Sequence, residues 1–144
     1  MALPRISTGT IGGIIWSDTD GDGTQDAGES GIANVSITLT LGSETWQTTS
    51  ESDGGYQFQE LVSGTYSIDL DVATLPGGIR PTYDLDGITT PHQAALTLGD
   101  GESRLDVDFG YQASMQVTKR HWLENRQPGY SQRYAIDITN TANI

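Results

Sequence analysis

The amino-acid sequence predicts an all-β protein, an antiparallel Greek-key β-sandwich spanning most of its 144 residues. Apolar residues recur at every second position in several short windows, the period of a strand with one buried face. Clusters of Gly, Ser, Asp and Pro separate these windows at short intervals, and no window carries the i, i+3, i+4, i+7 spacing of an amphipathic helix. Composition agrees, because 18 glycines, two Phe and a hydrophobic fraction of 35% suit strands and turns better than a helical bundle.

Residues 1–8 read as a leading segment or linker, and the first strand covers 10–16. Gly12 and Gly13 within it mark a bulge or a close approach of another backbone. After an acidic loop, Val35, Ile37, Leu39 and Leu41 form one face of the next strand, which ends at the Gly42 and Ser43 turn. Asp53 followed by Gly54 predicts a hairpin turn ahead of Tyr56 and Phe58. Tyr66, Ile68, Leu70 and Val72 form the next face, and residues 73–91 read as one long loop. Residues 93–98 supply another strand, and Leu105, Val107, Phe109 and Tyr111 close the series. Asp69, Asp71, Asp106 and Asp108 alternate with these faces, which places them on the solvated side of the sheets.

Charge divides the chain. Residues 1–112 hold 17 carboxylates against Arg5, Arg80 and Arg104, a net of −14; residues 113–144 hold Lys119, Arg120, Arg126 and Arg133 against Glu124 and Asp137, a net of +2. The expected organisation is therefore a module over 9–112 and a second, incomplete β unit or set of donated strands over 113–144. So acidic a surface repels a polyanion, which disfavours nucleic acid as a partner. No apolar run approaches the roughly 18 residues that span a bilayer, and residues 1–10 lack the pattern of a signal peptide, so no membrane insertion is expected. With no cysteine there is no disulfide framework, and reinforcement must come from a metal or another covalent link.

The most informative segment is 18–29, which reads Asp, Thr, Asp, Gly, Asp, Gly, Thr, Gln, Asp, Ala, Gly, Glu. It places carboxylates at positions 1, 3, 5, 9 and 12 of a calcium loop and glycine at position 6. Calcium wants about six to eight oxygens at about 2.3 to 2.6 Å, and a tightly wound loop turns alternate side chains inward to supply them. Asp18, Asp20 and Asp22 read as monodentate ligands, Thr24 as a carbonyl ligand, Asp26 as a direct or water-mediated ligand and Glu29 as bidentate. The alternative, a solvated acidic loop, gathers five carboxylates with no cation to offset their repulsion. A strand follows rather than a helix, so this EF-hand-like loop lies between two strands. Asp84 and Asp86 before Gly87 fit equally a second cation site and a plain turn.

Residues 11–29 give a glycine-containing strand, Trp16, Asp18 and the acidic loop; residues 52–68 give Asp, Gly, Gly, Tyr, Gln, Phe, then Leu61, Gly64, Thr65 and Tyr66; residues 105–111 close with Asp, Val, Asp, Phe, Gly, Tyr. These three blocks in order resemble the B-type repeat of serine-aspartate-repeat surface proteins, a relative of the collagen-adhesin B module. The resemblance implies a prealbumin-like, immunoglobulin-like sandwich serving as an extracellular, calcium-binding stalk unit, and it is compatible with a second ion at Asp84 and Asp86. Many collagen-adhesin B relatives also carry an amide bond between a lysine and an asparagine. Lys119 is the only lysine and lies outside the module, so that bond cannot form within residues 9–112.

In the tail, Met115, Val117, Lys119, Pro128 with Gly129, Tyr134, Ile136, Ile138 and Asn140 resemble the opening of a repeat domain of bacterial and archaeal surface proteins. Two strands bury no core alone. They are expected to belong to a longer multi-module protein or to pair with an identical subunit by head-to-tail strand donation, which builds filaments. Lys119 reads as an ordinary lysine or as one half of an interchain amide bond. His92 and His121 stand apart from any serine or carboxylate constellation, so no enzyme is expected. The binding-module alternative is a carbohydrate or protein adhesion surface at Trp46, which alternates with Thr45 and Gln47.

Overall fold

The computed structural model describes residues 6–121 and 134–140. Among these there are only strands: β1 (Gly9–Ser17), β2 (Ser36–Leu41), β3 (Glu44–Thr49), β4 (Gly55–Leu61), β5 (Gly64–Leu70), β6 (Ile79–Asp84), β7 (Gln93–Leu98), β8 (Ser103–Arg104), β9 (Phe109–Ala113), β10 (Met115–His121) and β11 (Tyr134–Asn140). One sheet has the order β4-β1-β9-β6 with β8 also beside β1, and the second has the order β3-β2-β5-β7. The alternating residues meet between them: Ile11, Ile15, Val35, Ile37, Leu39, Phe58, Tyr66, Ile68, Leu96, Leu98, Val107 and Phe109 are all buried in one cluster. Each such aliphatic side chain contributes about 1.5 to 3 kcal/mol through removal from water. β10 and β11 pair antiparallel with each other, Lys119 opposite Ile136.

Several expectations change on contact with the fold. The sandwich is not purely antiparallel, because β1 pairs parallel with both β8 and β9. The long loop contains β6, and β3 is also a strand; neither carries an unbroken apolar alternation, since each lies at the edge of its sheet. The last strand is shorter than the alternation suggests: 105–108 is irregular and Leu105 is exposed, although Val107 stays in the core. Val72 lies past the end of β5 and is also exposed. Asp53 and Gly54 do form a tight turn, but the strands it joins, β3 and β4, belong to different sheets.

Gly12 and Gly13 are explained by close approach. A Cβ on Gly13 would overlap the Val107 carbonyl, and one on Gly12 would press on the Tyr56 carbonyl. A register shift at the start of β1, between Gly9 and Ile11, accompanies them. β1 and β9 run the same way, so the chain enters the sandwich at one end and leaves at the other. The 18–29 segment, between β1 and β2, lies at the exit end.

Candidate metal centre

The loop is wound by its own carboxylates. Asp18, fully buried, accepts hydrogen bonds from the amides of Gly21 (2.6 Å) and Gly23 (2.9 Å). Asp20 accepts from the Asp22 amide at 3.2 Å, and Asp22 from the Thr24 amide at 2.7 Å. Glu29 closes the turn, its two oxygens accepting from the amides of Thr19 (2.6 Å) and Asp26 (3.1 Å). Gly23 has φ of +79°, a left-handed conformation that a side chain at the sixth position would strain.

This winding brings oxygens of Asp18, Asp20 and Asp22 within 4.8 Å of one another. Asp26 and Glu29 are not part of that trio. Glu29 and Asp26 are tied to each other, the Glu29 amide donating to the Asp26 carbonyl at 3.1 Å. The trio's donors are all hard oxygens, a set that suits an alkaline-earth cation and not a thiophilic metal. Burial works against the Asp18 carboxylate, but the facing Thr82 hydroxyl, although beyond strict hydrogen-bond geometry, together with the Gly23 and Gly21 amides outweighs it and holds its pKa below the usual value. The Asp22 amide favours ionised Asp20, yet desolvation and the charges of Asp22, Glu29 and Asp18 prevail and raise its pKa. Crowded negative charge of this kind is what a bound cation relieves.

Residues distant in sequence hold the loop in place. The Asp18 amide donates to the Tyr111 carbonyl at 2.8 Å, and the Ser17 amide to the Ser30 carbonyl at 2.8 Å, pinning both ends of the loop to β1 and β9. Gln112 on β9 donates to the Thr19 carbonyl at 3.3 Å and accepts from Arg80 on β6. Nothing in the local sequence around Gln112 or Thr82 marks them, because their role depends on β6 and β9 passing beneath the loop.

Asp84 ends β6 facing Phe109 in the core-side register, 4% exposed, and neither carboxylate oxygen has a hydrogen-bond partner. Burial first, then the charge of Asp86, raises its pKa. Asp86 is exposed and accepts from the Ala95 amide at 3.1 Å. Nearby, the rings of His92 and Tyr111 stack 5.5 Å apart and His92 Nδ1 lies 2.7 Å from the Tyr111 hydroxyl. Trp46 is half-buried, opposite core residue Leu39, and packs on the core and on Tyr66 at 6.2 Å; it does not stand on an outer platform. The side chains of Lys119, His121 and Trp122 lie outside the described residues.

The sequence profile of the SdrD B-like domain matches residues 9–111, the span of the two packed sheets together with the loop. The chain belongs to the SdrD B-like domain family. This SdrD B-like module is 34% identical over 110 residues to serine-aspartate repeat-containing protein F of Staphylococcus epidermidis, covering 72% of the chain and 6% of that protein. It is 40% identical over 91 residues to serine-aspartate repeat-containing protein C of Staphylococcus aureus strain Newman, covering 56% of the chain and 9% of that protein. The chain therefore spans a small part of the relatives it matches. Its fold is also that of the shaft pilin SpaA from Lactobacillus rhamnosus GG, with a TM-score of 0.52 at 10% identity over 78% of the chain and 53% of the pilin.

Proposed function

We propose that the chain is a calcium-stiffened stalk or filament module of an extracellular surface protein, with Asp18, Asp20, Asp22, Thr24, Asp26 and Glu29 as the calcium-binding set. The observation that carries this reading is the convergence of the Asp18, Asp20 and Asp22 oxygens in a loop tied to β9. Membership of the SdrD B-like family supports the surface location, as do relatives named as serine-aspartate repeat proteins. A twelve-residue loop offering six oxygen donors fits calcium better than magnesium, which keeps its waters and takes few protein ligands. The module has no catalytic part in this reading: its carboxylates serve the loop and the sheet faces. Among the described residues, no helix is long and apolar enough to cross a membrane.

The mechanism is linkage. A cation that binds only the wound loop stabilises the fold by RT ln(1 + [L]/Kd), about 2.7 kcal/mol at a hundredfold excess over Kd. Thermal melts with calcium and with a chelator test this directly: calcium should raise Tm by several degrees, and an unchanged melt after thorough chelation would sink the reading.

Asp84 favours a second ion, held with Asp86. A buried carboxylate with two unpartnered oxygens is costly, and a cation offsets that cost. Calorimetry should then resolve a second calcium that disappears in Asp84→Asn; identical stoichiometry in the variant would assign Asp84 to the protein alone. Neighbouring modules or identical subunits are the partners this architecture suits, joined through residues 113–144.

A further inference from the structure

We infer that the 18–29 loop is a cation-latched lid over an aromatic strip on the outer face of the β4-β1-β9-β6 sheet, with Trp16 at its centre. The inference rests on the calcium reading above. Ile15 belongs to the core between the sheets, so Trp16, next along β1, faces the opposite way. Trp16 is nonetheless only 2% exposed, although it is not part of the core cluster. An outward tryptophan on a sandwich stays dry only where something covers it.

Strand residues of β6 and β9 flank Trp16, and the loop packs against those same strands. Tyr83 of β6 lies 5.6 Å from the Trp16 ring. Gly110 of β9 pairs with Trp16 and leaves room for the indole: a Cβ there would come 2.7 Å from Trp16 Cζ2. Gly23 lies against this strip, its Cβ position 3.4 Å from the Thr82 carbonyl and 3.9 Å from the Tyr83 Cβ, while Gly21 lies against Gln112. Beneath this cover two polar atoms, Trp16 Nε1 and Thr82 Oγ1, are buried without partners.

Closing the lid therefore dehydrates two unsatisfied groups and gathers like charges, and both effects favour opening. A cation reverses the second. The lid is closed when the ion is bound and opens when it leaves, baring Trp16 and Tyr83, whereas the core between the sheets uses none of these side chains and persists.

The test uses the full chain carrying Trp46→Phe and Trp122→Phe, which leaves Trp16 as the only one of three tryptophans. Trp16 emission and acrylamide quenching are followed as calcium is titrated, with binding measured by calorimetry on the same sample. Hydrogen exchange is measured on the unsubstituted protein, so any damage from the substitutions does not decide the result. On chelation, emission should shift to the red, quenching should rise severalfold, and exchange should accelerate over 18–30 and 79–84 while β2 and β5 stay protected. Calcium binding with Trp16 emission unmoved would overturn the lid but leave the calcium reading standing. No binding at all would remove both. Release of β2 and β5 together with the loop would show that the loop does not open independently, and would also overturn the lid.

Discussion

Asp108 occupies the place where β1 changes partners. β8 pairs with Thr10 and Ile11, β9 pairs from Ile15 onward, and between them the Asp108 carboxylate accepts from the Ile14 amide at 2.8 Å. Burial raises its pKa, the Ile14 amide opposes this, and Asp106 adds to it. A raised carboxylate penalises folding above its folded pKa, and the penalty is relieved as pH falls through that value toward the usual carboxylate range. Asp108→Asn keeps an acceptor and removes the charge. It should raise stability at pH 7 by up to about 1 kcal/mol and flatten this part of the pH profile in urea melts, whereas Asp108→Ala orphans the Ile14 amide and should cost about 1 to 3 kcal/mol. Gly13→Ala drives a methyl into the Val107 carbonyl and should cost at least about 2 kcal/mol in the same assay. Strand alternation places Asp108 in solvent, and it fails there because 105–108 is not a strand; the two glycines, by contrast, already announced a backbone contact.

Among the elements, the winding of the 18–29 segment between β1 and β2 was the most legible in sequence, because the Asp and Gly spacing is local and every residue that winds it lies within the twelve. Its anchorage was not legible, since Gln112, Thr82 and Tyr83 reach it only through the packing of β6 and β9. β6 itself was hidden by Pro81 and a register shift between Pro81 and Tyr83, which break the alternation at a sheet edge. The role assignments within the loop make a comparison: Glu29 binds two amides and is the expected bidentate ligand, so Glu29→Gln should weaken calcium binding more than Asp26→Asn. Calorimetric affinities of the two variants decide it, and equal losses would reject the assignment. Without divalent cations, Asp84→Asn should stabilise the protein by about 1 kcal/mol, measured as a higher urea midpoint with unchanged slope, because it removes charge from a carboxylate with no partner.

For the molecule as a whole, the two sheets and their shared core were readable from alternation and turns, while the parallel pairing of the first and last module strands was not, because alternation fixes which face a residue takes and not which neighbour its strand chooses. That pairing has a consequence for a stalk. Residues Ile15, Trp16 and Ser17 lie beside Phe109, Gly110 and Tyr111 in the same direction, with the Asp18 amide extending the ladder into the loop. Pulling on the two ends of the module loads these hydrogen bonds together in shear, not one after another as in unzipping. Single-molecule stretching should therefore show one abrupt rupture at high force, lower after chelation, and a gradual low-force extension would contradict this geometry.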